Sequence, residues 1–378
     1  MKAPPQNAVL LTGATGFVGM ELLARYVEHS DRDVFALVRA QSDAEAQERL
    51  EAALELVGAR DPRGRVVAVA ADVEQEGLGL DGRRRAELSQ RVSEIVHSAA
   101  SVSFTLPLEQ SRRINVEGTR QMLNFADEAN ARGGLARFAY VSTAYVAGTH
   151  PGEFHEDELA VGQDFRNAYE QSKFEAEQLV RARADRLPVQ IFRPSIIVGE
   201  RASGWTSSFN VLYTPLKAFA RGRLPLLPAD PEAPVDVVPV DYVADAIFTL
   251  ASGPLSKSGE TFHLVSGPCA TTVAGLAERA AAHLHRDPPR VVAPGLYRRL
   301  VHPLLTRTGD VRRRRALRRS EVFFPYFTMR VRFDDAHARA RLAGRGIEAP
   351  PVERYLDRLI DFAHAADWGR RRLPRPRT

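Results

Sequence analysis

The chain of 378 residues has a single cysteine, Cys269. That excludes an internal disulfide framework and cysteine-rich metal sites, and it suits a reducing compartment. No apolar run approaches the ~18–20 residues of a membrane span. The first apolar run, Val9 to Leu11, is short enough to be a strand, so Met1 to Asn7 carries no signal-peptide core. The expectation is a cytoplasmic protein with no metal site and no nucleic-acid partner. Lysine is missing from residue 291 onward, where 21 arginines stand against 9 acidic residues, a net of +12. Residues 1–290 carry 31 Lys+Arg against 38 Asp+Glu, a net of −7. Such an end fits either an anionic partner or a solvated basic face. Helical spacing of apolar residues over 296–319, with Arg312 to Arg315 after it, admits a peripheral membrane contact or an ordinary packed helix.

What is present begins with Ala8-Val9-Leu10-Leu11-Thr12-Gly13-Ala14-Thr15-Gly16-Phe17-Val18-Gly19. An apolar strand runs into a glycine turn, and residues from Met20 then repeat at helical spacing. Strand, glycine turn and helix in that order make a phosphate cradle. Gly13 takes a backbone angle closed to other residues, Gly16 admits a pyrophosphate, and Gly19 lets helix pack on strand. Thr15, Phe17 and Val18 lie in the turn and the first helical residues, whose N–H groups face the phosphates.

The second strand, Asp33 to Val38, is followed at once by Arg39. An acid about 20 residues past the turn would bind the ribose 2′-hydroxyl of NAD. None is there, and an arginine at that strand end meets a 2′-phosphate, which predicts NADPH over NADH. Arg49, on a helix spanning Ser42 to Leu56, is either a second phosphate contact or a solvated helix residue. Asp72 ends the third strand, where a carboxylate bonds an adenine amino group or caps the next turn. The fourth strand ends at His97, a packed strand-end residue. Ser98, Ala99 and Ala100 after it are small enough for a ribose to lie on the backbone. A helix from Thr119 to Ala131 and a fifth strand over 137–142 follow.

Tyr169-Glu170-Gln171-Ser172-Lys173 opens a helix running to about Ala184. Tyr169 and Lys173, four apart, leave one helix face. An ammonium beside a phenol favours the phenolate and lowers its pKa, which makes the tyrosine a general acid or base. Thr143, at the C-terminal end of the fifth strand, is placed to share a substrate carbonyl oxygen with Tyr169. Strands alternating with helices through residue 200 predict an α/β fold, a doubly wound parallel sheet of Rossmann type with a smaller C-terminal substrate-binding region. Residues 1–200 form its dinucleotide-binding domain, rejoined by about 236–268. Residues 201–235, without strong periodicity, and 269–367 form the substrate-binding region. Residues 368–378, with five arginines and two prolines, read as a disordered basic tail. Cys269, beyond the last strand, reads as structural rather than catalytic.

With these motifs in place the chain resembles the extended short-chain dehydrogenase/reductase superfamily. Within it the likeness is to the thioester-reductase and fatty acyl-CoA reductase (male sterility-type) branch. The resemblance rests on Thr12 to Gly19, Leu37-Val38-Arg39-Ala40 with Arg49-Leu50, His97 to Phe104, Asn115 to Thr119 and Val141 to Gly148. It continues through Tyr169 to Lys173, Phe192 to Gly199 and Val238 to Val243, covering roughly residues 8–268. It implies Thr143, Tyr169 and Lys173 as the catalytic set and Arg39 with Arg49 as the 2′-phosphate arginines. It also implies Asp72 and Val73 as adenine contacts, and Pro194 and Ser195 beside the nicotinamide. The implied reaction is NADPH-dependent hydride transfer to an acyl thioester, giving an aldehyde and, after a second hydride, an alcohol. The chain contains no Asp-Ser pair, the attachment dipeptide of carrier domains. The implied substrate is therefore an acyl-CoA or a thioester on a separate acyl carrier protein. A ketone or alcohol dehydrogenase with the same trio, a sugar-nucleotide epimerase or dehydratase, and a non-catalytic NADP(H)-binding regulator remain as alternatives.

Overall fold

A computed structural model describes residues 7–209, 211–297, 299 and 324–376. Most of the basic pattern over 296–319, with Arg312 to Arg315, lies outside the described residues. Seven strands form one parallel sheet: β1 (Ala8–Thr12), β2 (Val34–Val38), β3 (Val66–Ala70), β4 (Val92–His97), β5 (Arg137–Val141), β6 (Val189–Pro194) and β7 (Glu260–Leu264). Their order across the sheet is β7-β6-β5-β4-β1-β2-β3. Strand order reverses between β1 and β4, where Leu10 pairs with Ile95 and Thr12 with His97. Ligands of such sheets bind in the crevice beyond the carboxyl ends of strands at that reversal.

Apolar side chains on both faces of β1 explain its continuous hydrophobic run. Val9 and Leu11 join one cluster with Leu22 of α1 (Phe17–His29), Leu50 of α2 (Asp43–Val57) and Ile247 of a later helix, Val240–Ser252. Ala8 and Leu10 join the opposite cluster with Leu88 of α3 (Gly82–Arg91), Met122 of α4 (Gly118–Gly133) and Ala176 of α5 (Ala168–Arg181). Alternation along the strand thus sends successive residues into different layers.

A third cluster lies beyond the sheet. It joins α6 (Tyr213–Ala220), α8 (Val273–His283) and α9 (Leu356–Ala365), with the Val240–Ser252 helix counted as α7. Leu216, Phe219, Leu276, Leu356 and Leu359 meet there. The stretch 201–235, patternless in sequence, therefore holds a helix and two short strands, Leu226–Pro228 and Pro234–Val235. These pair with Arg290–Val292 and Thr271–Thr272, partners too distant in sequence to leave a local period. Among the described residues no helix is long and apolar enough to cross a membrane.

Two expectations are corrected. Cys269 ends a surface turn, Gly267–Cys269, and its thiol is exposed rather than packed. The tail is not loose up to residue 376. Arg375 lies over the Trp205 ring, pairs with Glu200, and reaches Glu21 of α1 at 3.3 Å. Trp205 Nε1 donates to Leu373 O at 3.2 Å. An arginine-rich composition reads as disorder only when no buried carboxylate awaits it, and here two do.

Candidate active site

The turn between β1 and α1 is built on close backbone approach. Gly13 has φ +74°, and a Cβ there would lie 2.8 Å from Ala99 N and 2.9 Å from Ser98 C. A Cβ on Gly19 would lie 2.0 Å from Gly13 O. Gly16 N donates to Gly13 O at 2.8 Å and Gly16 caps α1, whose first turn holds no acidic residue. The first-turn amides of an α-helix have no partner within the helix, so Phe17, Val18 and Gly19 present an anion site beside Thr15. The cradle fits a dinucleotide pyrophosphate. Gly19→Ala drives α1 off β1. The expected outcome is a loss of about 1–3 kcal/mol of stability and weaker dinucleotide binding, read from thermal melts with and without the nucleotide.

Thr12 ties this turn to the end of β4. Its hydroxyl oxygen accepts from Ser98 N at 3.2 Å and Ala99 N at 3.1 Å and bonds His97 Nδ1 at 2.8 Å. His97 Nε2 meets the Thr119 hydroxyl at 3.2 Å. Burial, with the Lys173 ammonium, pushes the imidazole down to about 3. His97 is thus a neutral packing residue that holds the Thr12 hydroxyl, which in turn fixes Ser98 and Ala99 along the crevice.

Arg39 and Arg49 come together at the end of β2, where the Arg49 guanidinium donates to Arg39 O. Arg39 is exposed and reaches Glu74 at 3.3 Å, and Arg113 shares that carboxylate at 2.8 Å. Asp72 accepts from Glu74 N at 3.0 Å, so it caps its own turn. Val73 packs against Gly118 at the start of α4, where a Cβ would come within 3.1 Å of it.

At the other end of the crevice, Thr143 is buried. It caps the turn Ala144–Ala147, and its hydroxyl donates to Pro194 O at 3.4 Å. Ser195 follows, its N–H donating to Leu264 O at 3.2 Å. Tyr169 stands in the first turn of α5. Asn167 caps that helix by accepting from Glu170 N at 3.0 Å, and Arg166 N donates to the Glu170 carboxylate at 2.9 Å. Together these bonds satisfy two backbone N–H groups at the start of the helix. Burial pushes the Tyr169 phenol up to about 12, partly offset by its hydrogen bond with Thr143.

Lys173 lies on the same face, yet its ammonium is directed elsewhere. It donates to Tyr140 OH and to Val141 O, each at 2.8 Å. Burial pushes it down to about 7, with Glu177 pulling it back up. The spacing alone led to an expected acidified phenol. In this structure Tyr169 instead keeps its proton well above neutral pH, because burial outweighs its polar partners.

Several residues at the site were given no role by the sequence motifs. Tyr140 follows only from the Lys173 contact. Glu177 and Arg193 form a fully buried pair at 2.7 Å, and the Ser142 hydroxyl donates to Glu177 at 2.7 Å. Asn115 sits in a π-helical turn, Arg113–Glu117, and donates to Ser101 O at 3.1 Å and to the Ser172 hydroxyl at 2.9 Å. Tyr326 arrives from far along the chain. Its hydroxyl donates to Glu170 at 2.6 Å and accepts from Asn167 at 2.7 Å, and its ring stacks on Phe104, which meets Tyr169.

A parallel sheet of this strand order, a glycine turn at its reversal and a Tyr-x-x-x-Lys helix beside it define an oxidoreductase of the extended short-chain dehydrogenase/reductase type. More narrowly, the chain belongs to the family described as Male sterility protein, an NAD-binding family whose model matches residues 11–247. It is 36% identical over 270 residues to an isonitrile lipopeptide synthase of Streptomyces coeruleorubidus, a match covering 69% of this chain and 18% of that protein. It is 33% identical over 293 residues to a carboxylic acid reductase of Mycobacterium marinum, covering 69% of this chain and 24% of that protein. The chain thus spans a quarter or less of these relatives' own length. Among solved structures it is similar to the terminal R domain from the myxalamid PKS-NRPS biosynthetic pathway. That likeness has a TM-score of 0.82 and 27% identity, and covers 98% of this chain and 93% of that one.

Proposed function

We propose that this protein is an NADPH-dependent reductase of an acyl thioester, carried on coenzyme A or an acyl carrier protein, and that it releases an aldehyde. The observation that carries this reading is the meeting of Thr143, Tyr169 and Pro194 at the sheet's carboxyl edge in a chain of this reductase family. The names of its relatives, a carboxylic acid reductase and a lipopeptide synthase, supply the acyl chemistry. Gly13, Thr15, Gly16, Phe17, Val18 and Gly19 hold the pyrophosphate, Arg39 and Arg49 the 2′-phosphate, and Asp72 and Val73 flank the adenine. Ser98, Ala99 and Ala100 line the ribose, and Lys173, Pro194 and Ser195 flank the nicotinamide end. When bound, that cofactor supplies a hydride to the carbonyl carbon.

The chain's own residues do the rest. Thr143 and Tyr169 donate hydrogen bonds to the carbonyl oxygen, where negative charge develops. Tyr169, a protonated phenol at neutral pH, gives its proton to that oxygen. The product is a thiohemiacetal, whose C–S bond breaks to leave the aldehyde and the free thiol. A second round on the aldehyde gives the alcohol.

NADPH oxidation with acyl-CoA and acyl carrier protein thioesters, set against ketone and sugar-nucleotide panels, tests the reading. Turnover confined to ketones or sugar nucleotides overturns it. Arg39→Asp removes a 2′-phosphate contact and adds an acid that suits a 2′-hydroxyl. The expected outcome is a shift of the NADPH/NADH preference toward NADH by about tenfold or more. An unchanged ratio of kcat/KM values refutes the assignment.

A further inference from the structure

Tyr326, 156 residues beyond its partner Glu170, touches both of the elements that carry Thr143 and Tyr169. It is buried in the turn Phe324–Thr328. Toward α5 its hydroxyl bridges two side chains, donating to Glu170 at 2.6 Å and accepting from Asn167 at 2.7 Å. Those two residues stand before and after Tyr169 in the chain, so one oxygen fixes the backbone on either side of the phenol. The Tyr326 ring stacks on Phe104 at 5.2 Å, and Phe104 meets the Tyr169 ring at 5.5 Å. Toward the Thr143 turn, the same ring meets Tyr145 edge-on at 5.3 Å. Tyr145 N in turn donates to the Thr143 hydroxyl at 3.3 Å.

These contacts are of the kind that hold a position. Glu170 is fully buried, and its second oxygen accepts from Arg166 N at 2.9 Å. Burial pushes its carboxyl up, and the Tyr326 hydroxyl pulls it back down. A buried carboxylate oxygen stripped of its donor has no water to replace it. Losing the Tyr326 hydroxyl therefore moves Glu170, and Tyr169 moves with its neighbour. Stacked and edge-on ring pairs add direction to the packing. The Tyr326 proton is itself held by Glu170, and burial with that carboxylate pushes the phenol far above the usual range. It is no second proton donor.

We propose that Tyr326 is a positioning residue that sets the spacing between Thr143 and Tyr169, so that both reach one carbonyl oxygen. It acts on the Tyr169 backbone through Glu170 and Asn167, on the Tyr169 ring through Phe104, and on Thr143 through Tyr145. This rests on the reading of Thr143 and Tyr169 as the two donors to that oxygen and adds the residue that keeps them in register. Two donors aimed at one atom depend on their separation, and a shift of about 1 Å is enough to cost turnover.

The test uses the full chain and two readouts. The first is turnover of octanoyl-CoA with NADPH. Tyr326→Phe keeps the ring and removes the hydroxyl. It is expected to lower kcat about tenfold to a hundredfold, with KM and nucleotide affinity within about twofold of wild type. In a Tyr169→Phe background the same change is expected to alter kcat less than about twofold, because the donor it positions is gone. A merely structural role would lower kcat by the same factor in both backgrounds. Phe104→Leu keeps both Tyr326 hydrogen bonds and breaks the ring path. Its expected loss is about threefold to tenfold, again only where Tyr169 is present, and it carries the test should Tyr326→Phe fail to fold. The second readout needs no turnover. In the carbon-13 spectrum of ring-labelled tyrosine, the Tyr169 signal is the one of nine that Tyr169→Phe removes. It is expected to shift in Tyr326→Phe, and an unmoved signal overturns the proposal. Equal losses in the two backgrounds also overturn it. Turnover lost in Tyr169→Phe but unchanged in Tyr326→Phe leaves the donor reading standing and overturns the positioning role alone. A shifted signal in a chain that reduces no thioester supports the positioning role, and the reductase reading then fails by itself.

Discussion

Tyr169→Phe is expected to lower kcat by about a hundredfold to ten-thousandfold, the range for loss of a positioned proton donor. Binding of the nicotinamide nucleotide should stay near the wild-type value. The phenol of Tyr169 has a folded-state pKa pushed up to about 12 by burial, so it is protonated across the neutral range. Its own titration should therefore leave kcat flat through neutral pH and depress it only as pH nears 12. Lys173 behaves differently. With a folded-state pKa pushed down to about 7, it gains charge as pH falls through neutrality. Because it holds Tyr140 and Val141 at the strand end beside Thr143, Lys173→Ala should weaken both turnover and nucleotide affinity. Steady-state kinetics paired with a nucleotide-binding titration separate the two variants. Wild-type turnover in Tyr169→Phe would refute the proposed donor role.

Glu177→Gln is expected to cost about 3–5 kcal/mol of stability, the usual effect of stripping one partner from a buried ion pair. Burial alone would raise the Glu177 carboxyl. Arg193, with Arg181 and the Ser142 hydroxyl, outweighs it and holds the group down at about 2. A carboxyl depressed in the folded state stabilises fully above its unfolded pKa, near 4.5. That contribution is lost as pH falls from there toward 2. The gap in urea-unfolding free energy between wild type and Glu177→Gln should be full at neutral pH and close on acidification through that window. A gap independent of pH would contradict the assigned charge state. Because Glu177 also raises Lys173, the variant should in addition lower the pH at which Lys173 gains its charge.

The part of the site that was legible in sequence is the part encoded locally. A buried parallel strand, a glycine turn and a helix occupy consecutive residues, so Gly13, Gly16 and Gly19 disclose the cradle by spacing. Tyr169 and Lys173 disclose a shared face for the same reason. The direction of the Lys173 ammonium was not legible, because Tyr140 competes for it from a strand 33 residues away. Tyr326 was hidden for a stronger reason: it meets Glu170 across 156 residues, and no periodicity links the two. The packing of α6 against α8 has the same origin. Leu216 and Phe219 look like an apolar scatter until Leu276 is brought opposite. Arg375 was misread because its neighbours resemble a disordered run, while its partners, Glu21 and Glu200, lie far upstream.

That last contact bears on how the chain is made. Glu21 leaves the ribosome 354 residues ahead of Arg375. A nascent chain can therefore complete every strand of the sheet while its first helix still holds a buried carboxylate whose second cation has not been translated. The segment around Arg375 thus reaches back to the helix that opens the nucleotide cradle. A stop ahead of codon 375 would spare Thr143, Tyr169 and Lys173 and still be felt at the helix that follows the glycine turn.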